Sequence, residues 1–331
     1  MAQSKSQSRV VTAVLMVLAV VATVAGMVVS STQAEGTTSR SNLSIIAGAA
    51  TGGGWDTTAR AIQQVSRSEN IVNNLQVVNI PGAGGLIALE SLAQSVGNEN
   101  RLLITGGGMI ASSVIAQPGV SIADVTPIAR MTEEYSVIAV PAGSEFATLE
   151  DFANAWVEDP SSVAVGGASI GNTDHLLASR SALALGIDVK SMKYIPFEGG
   201  GELLNAMLSN SVDVGVTGYK EIQDQVEAGS LRVLGISAPE RQEGVDFPTL
   251  QEGGIDVVAA NWRGVVAPPG LSEEEKSELV AILTEVNESE EWREIASRNG
   301  WQNTFLTGPE LDQFFADELA LAEDTVERLG L

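Results

Sequence analysis

Residues 43–60 read LSIIAGAATGGGWDTTAR. Leu43 to Ala47 is a short apolar run of the length and branching of a buried strand. It runs into Thr51-Gly52-Gly53-Gly54, and from Asp56 onward the pattern is helical. Asp56 is expected to cap that helix, because a carboxylate there can accept from the exposed backbone N–H groups. The same three-part unit recurs twice. Leu75 to Ile80 leads through Pro81-Gly82-Ala83-Gly84-Gly85 to an apolar helix, Leu86 to Ala93. Arg101 to Thr105 leads through Gly106-Gly107-Gly108 to Met109–Ala116. Strand, glycine turn and helix in succession predict an α/β fold with a parallel sheet and crossover helices.

A second series follows. A strand at Val137 to Val140 ends at Pro141, and a helix at Thr148 to Val157 opens with Thr148 and Asp151 as a capping box. Val163 to Val165 precedes Gly166-Gly167 and a helix from about Thr173. Met192 to Pro196 precedes Phe197-Glu198-Gly199-Gly200-Gly201 and a helix through Leu208. Val212 to Val216 and Leu231 to Ile236 are further strands, the first ending in Thr217-Gly218-Tyr219. Trp262 to Ala267 is closed by Pro268-Pro269-Gly270. Two helices are expected to finish the chain, one begun by the Ser272/Glu275 capping box and one running from Pro309 to about Leu329. The strands ending at Pro141 and Pro268 are candidates for crossings between two lobes. That gives 43–136 with 262–331 as lobe 1 and 137–261 as lobe 2, with a cleft at the hinge.

Composition narrows the function. The chain of 331 residues has no cysteine, which excludes thiolate catalysis, disulfides, iron–sulfur clusters and a lipoprotein anchor. With a single histidine, His175, no transition-metal site is expected, and no EF-hand spacing appears. A formal charge of −24 leaves no basic footprint for nucleic acid. Lys5 and Arg9, followed by apolar Val10 to Val29 and then Ser30 to Ala34, have the layout of a secretory signal. Its length also suits an uncleaved membrane anchor. Residues 35–42 read as a polar linker.

Glycine turns at the carboxyl ends of strands are anion cradles, because helix-start N–H groups are unpaired and the helix dipole is positive there. No P-loop, dinucleotide fingerprint or nucleophile elbow accompanies them, and no catalytic residue is assigned. His175 reads as a local packing or hydrogen-bonding residue, or as a ligand contact. Arg60 and Arg263 are candidates for a second charge contact, or for structural ion pairs.

These loops resemble those of the receptor proteins of tripartite tricarboxylate transporters, the TctC-like or Bug family. The resemblance rests on Gly52-Gly53-Gly54-Trp55-Asp56, on Asn79-Ile80-Pro81-Gly82-Ala83-Gly84-Gly85 and on Thr126-Pro127-Ile128-Ala129-Arg130. It continues through Asn172-Thr173-Asp174-His175, Phe197 to Gly201, Val214 to Tyr219, Phe247-Pro248-Thr249-Leu250 and Asn261-Trp262-Arg263-Gly264, in the family's order. One departure is Ala50-Thr51-Gly52, where many relatives have a proline before the glycines. The resemblance implies a two-lobed periplasmic-binding-protein fold of the Venus-flytrap, type II-like kind, each lobe a mixed sheet flanked by helices. It implies an exported monomer without cofactor that delivers a small carboxylate to a large and a small membrane subunit. Carried over residue by residue, it points to Gly53, Gly54, Trp55 and Asp56, and to Ala83, Gly84 and Gly85, as ligand contacts. From the facing lobe it points to Thr173, His175, Gly199 and Tyr219. The ligand itself stays open among tricarboxylates, dicarboxylates and aromatic acids. A ligand-capturing partner of a sensor, or an α/β enzyme acting on carboxylates, is the alternative.

Overall fold

In β1 (Leu43–Ala47), alternate side chains enter two different cores. Leu43, Ile45 and Ala47 pack with Ala59, Ile62 and Val65 of α1 (Gly54–Ser68). Ile46 turns the other way, onto Ala88, Leu89 and Leu92 of α2 (Leu86–Ala93). A strand covered on both faces must be largely apolar, and only the half-buried Ser44 interrupts the run here. β1 pairs in parallel with β2 (Leu75–Asn79) on one side and with β3 (Arg101–Gly106) on the other, and α3 (Gly107–Ala116) follows β3. The computed structural model describes residues 39–117, 119–197, 200–242 and 244–330. The expected signal segment, 1–34, and the start of the linker lie outside them. Among the described residues no helix is long and apolar enough to cross a membrane.

The sheet runs in the order β2-β1-β3-β9-β4-β7-β5-β6, with β8 and β10 also pairing to β4. β4 (Thr126–Pro141) is 16 residues long, on the order of 50 Å at a strand's usual rise, and it links the two halves. Its first part pairs with β9 (Ala260–Ala267) and β10 (Gln302–Leu306), its last part with β7 (Val214–Gly218) and β8 (Leu231–Ile236). β9 runs antiparallel to both β3 and β4. The second half holds α4 (Leu149–Glu158), β5 (Ala164–Ala168), α5 (Thr173–Ala184), β6 (Lys193–Phe197), α6 (Gly200–Leu208) and α7 (Tyr219–Glu227). β5 lies parallel between β6 and β7. Here too the strand alternation feeds two cores. Ile138 and Val140 join Phe152 and Trp156, and Val137 and Ala139 join Leu203 and Met207. The result is an α/β protein of two lobes with mixed sheets. We propose 43–136 with 262–331, and 137–261, as the lobe boundaries; the separation of the four cores supports this division.

Three expectations differ from the structure. The strand at Val137 to Val140 begins eleven residues earlier, at Thr126. Polar residues and two register shifts hide its alternation between Pro127 and Thr132. Tyr219, expected at the end of a strand, instead opens a helix, α7. The tail holds three helices and a strand in place of two helices: α8 (Glu273–Glu288), α9 (Glu290–Asn299), β10 and α10 (Gly308–Leu329). Ser289 ends α8 and caps α9 through its hydroxyl, and Gly300 stops α9 at φ 68. A left-handed glycine is an inexpensive way to leave a helix, and β10 then adds an edge to β4.

Candidate functional site

The first glycine loop presents three open donors. Gly53 is the N-cap of α1, and the first helical bond runs from Thr57 N–H to the Gly53 carbonyl (2.9 Å). The N–H groups of Gly54, Trp55 and Asp56 therefore have no acceptor inside the helix. Asp56 is not the N-cap that the sequence suggested. It is the third helical residue, 1% exposed, and it reaches backward. Its carboxylate accepts from Gly52 N–H (2.8 Å), Arg60 Nε (2.8 Å) and Asn79 Nδ2 (2.8 Å). Burial alone would raise its pKa, but the hydrogen bonds from Arg60, Gly52 and Asn79 outweigh it and hold the carboxyl below its usual range. Asp56 thus fastens the loop to the end of β2. Arg60 is engaged by Asp56 and by Asn79 Oδ1 (3.3 Å), on the half-exposed side of the helix.

The second loop is left-handed throughout, with φ of 127, 49, 62 and 92 degrees at Gly82, Ala83, Gly84 and Gly85. Ala83 holds this conformation at a cost of about 1–2 kcal/mol, the kind of local strain that collects at binding loops. Gly85 N–H is bonded to the Gly82 carbonyl (3.0 Å), so Ala83 and Gly84 supply the free donors of the turn. Trp55 covers Gly85 closely: a Cβ there would lie 2.8 Å from the indole. Trp55 Nε1 also lies beside Gly106, the N-cap of α3, so all three glycine loops of lobe 1 meet around one ring.

Arg263 enters from β9. It is 6% exposed, and its guanidinium lies against Gly54, where Nη2 would be 2.8 Å from a Cβ. Nη2 donates to Glu134 Oε1 at 2.5 Å, and the group sits 5.5 Å above the Trp301 ring. Nη1 is buried without a hydrogen-bond partner. Glu134, on β4, also accepts from Asn261 Nδ2 (3.0 Å).

In lobe 2, Asn172 caps α5 by accepting from Thr173 N–H (2.6 Å). His175 accepts at Nδ1 from Gly171 N–H (3.2 Å) and meets Tyr194 edge-on at 4.7 Å. Burial lowers its pKa, so the ring is neutral and anchors the loop before α5. Tyr219 starts α7 and packs edge-on against Phe247 at 5.2 Å. Gly199 lies outside the described residues. Thr173 borders a cavity of about 70 Å³ between the lobes, across from Gly107 and Ala111 of α3. Three acids were not anticipated as part of this region: Glu134, Asp174 and Glu221. Asp174 accepts from Ala168 N–H (3.3 Å) and Ser136 Oγ (3.4 Å). Glu221 accepts from Thr217 Oγ1 (2.9 Å). For Glu134 the sequence signal was a polar pair, Glu133-Glu134, where a strand should be apolar; Asp174 stood in the Asn172-Thr173-Asp174-His175 match without a role assigned to it.

The Asp174 carboxyl is pushed up to about 7, by burial first and then by Glu221, against the Ala168 N–H and the Ser136 hydroxyl. A raised carboxyl pKa means that the folded protein holds a proton the unfolded chain has released. Stability is therefore lost as pH rises from about 4, the unfolded value, to about 7, and no more is lost above that. Asp174→Asn should give a melting temperature close to wild type near pH 4 and a gain that grows through this window to a plateau. A gain of constant size across the range would rule out this titration.

Two α/β lobes joined by long crossing strands, with the starts of α3 and α5 bordering a cavity between them, define a two-lobed solute-binding protein. Residues 58–331 match the tripartite tricarboxylate transporter family receptor, TctC, and the chain belongs to that family. It is a solute-binding receptor and not an enzyme, and receptors of this family are periplasmic. A UPF0065 protein of Cupriavidus necator is 24% identical over 294 residues, covering 87% of each chain. MatC from Rhodopseudomonas palustris with bound malate superimposes with a TM-score of 0.71 at 23% identity, over 86% of this chain and 98% of that one. Rpa4515 of R. palustris with adipate gives 0.74 at 20% identity, over 87% and 97%.

Proposed function

We propose that this receptor captures a small carboxylate between its lobes and hands it to the large and small membrane subunits of a tripartite transporter. The observation that carries this reading is the gathering of free donors in lobe 1. These are the N–H groups of Gly54 and Trp55, those of Ala83 and Gly84, and the partnerless Nη1 of Arg263. Backbone donors at a helix start bind an anion without net positive charge, which is how a protein of −24 can hold one. Gly53 and Gly85 shape the two loops, and Thr173 and Tyr219 close from lobe 2. The relatives with malate and adipate support the carboxylate class. Residues 1–34 serve as the export signal, cleaved near Ala34, and the receptor acts as a monomer.

The test is thermal unfolding of the mature chain against a panel of carboxylates, with neutral sugars as controls. A ligand at about 100 dissociation constants should add about 2.7 kcal/mol of stability. A dose-dependent rise with carboxylates alone is the expected result; a rise with sugars alone would refute the ligand class.

A further inference from the structure

Two opposite charges face the same gap between the lobes without touching. Arg180 lies on α5, which packs through Leu177, Ala178 and Ala182 into the lobe 2 core around Phe152 and Trp156. Glu318 lies on α10, which packs through Leu311 and Phe315 into the lobe 1 core around Ile46 and Leu89. Both residues line the cavity of about 70 Å³ that Gly107 and Thr173 border. Among the described residues neither is in an ion pair. Each bonds instead to a neutral group of its own lobe. Arg180 Nη2 donates to the Val258 carbonyl (2.9 Å), and Glu318 Oε2 accepts from Trp262 Nε1 (2.6 Å).

The cavity adjoins both crossings between the lobes. Ser136 of β4 lines it, and so do Ala260 and Asn261 at the start of β9. A rotation of the lobes about these strands therefore changes its width, and with it the separation of Arg180 and Glu318. Each charge is short of a partner where it stands. Burial lowers the Arg180 pKa, against the pull of Glu318. Burial raises the Glu318 pKa; the Trp262 bond, Arg180 and Arg130 oppose the rise, and Asp317 adds to it. Arg130 is engaged elsewhere: its Nε donates to the Thr304 carbonyl (2.9 Å), and its guanidinium lies 4.6 Å above the Phe314 ring. Arg180 is thus the cation left for Glu318, and their attraction grows as water leaves the space between them.

We propose that Arg180 and Glu318 form a latch between the lobes: when the lobes approach, the cavity narrows, the guanidinium meets the carboxylate, and the ion pair holds the closed receptor. A planar guanidinium matches a carboxylate through two parallel bonds, so the pair also fixes the angle at which closing stops. The latch rests on the two-lobed class of the protein and on no particular ligand. It lets the receptor close part of the time with its cleft empty, and it adds to the hold of any ligand that favours the closed form.

The experiment measures the distance between the lobes of the ligand-free mature chain by pulsed electron spin resonance. The protein has no cysteine, so Glu90→Cys and Asn205→Cys carry the only two labels. Both positions are exposed, on α2 and α6, which follow the outermost strands β2 and β6, where closing moves the lobes farthest. The distance distribution should contain a short, closed component. Arg180→Gln should lower the ratio of closed to open by about fivefold, the equivalent of roughly 1 kcal/mol. Glu318→Gln should do the same while leaving an oxygen for the Trp262 N–H. The double variant should fall no further than either single one, because the two residues act through one bond. A ratio that neither substitution changes, two effects that multiply in the double variant, or no closed component with Arg180 and Glu318 intact would overturn the latch. Either single substitution decides the matter if the other folds poorly.

Discussion

Gly84→Asp abolishes ligand binding: affinity for the best carboxylate is expected to fall by more than about 100-fold, or roughly 2.7 kcal/mol. Three effects act together. Gly84 has φ 62, a conformation that side chains resist. A Cβ at this position would collide with the Ser112 hydroxyl of α3, so the turn must shift. The new carboxylate would also stand at the donors meant for the ligand. Gly84→Asn separates these causes, because asparagine tolerates left-handed backbone and carries no charge. It should bind more weakly than wild type and more tightly than the Asp variant. Because the loop is exposed, neither change should greatly lower the melting temperature of the free protein. Calorimetry with the best carboxylate checks this, and retained affinity in the Asp variant would remove the second loop from the site.

Arg263→Ala should produce the largest loss of stability. It leaves Glu134 charged, with 19% of its side chain exposed, and without its cation. Breaking a buried pair from one side costs about 3–5 kcal/mol. The lower end is expected here, about 3 kcal/mol, because Glu134 keeps some water and the Asn261 amide. The melting temperature should drop by on the order of 5–10 °C. Adding Glu134→Gln to the Arg263→Ala variant should recover much of the loss, since no charge is then stranded. Chemical denaturation of the two variants decides between this account and simple loss of packing against Trp301, which the second substitution would not repair.

The reciprocal caps of two helices were legible without the fold. Thr148 with Asp151 and Ser272 with Glu275 form the reciprocal capping boxes that their spacing requires. The ends of β1, α2 and β8 fall where apolar runs meet glycine, proline or polar residues. The open N–H groups of the first two glycine loops were readable for the same reason: donor orientation at a helix start follows from a few consecutive residues.

The pairings were not legible, and they changed the meaning of named residues. Asp56 and Arg60 carry a cradle-like pattern in sequence, yet Asn79, 23 residues away, turns Asp56 into a brace and draws Arg60 with it. Arg263 and Glu134 are 129 residues apart and meet only because β9 and β4 lie side by side. Asp174 and Glu221 come within electrostatic reach of each other only because β5 and β7 run in parallel and bring their following helices together. Sequence by itself determined most of the strands, the glycine turns, the two capping boxes and hence the two-lobed α/β class, because those depend on contacts within a few residues. Tertiary structure alone decided which charges are consumed internally and which are left open, because Coulomb energies depend on distance in space and on burial, and neither is written in chain order.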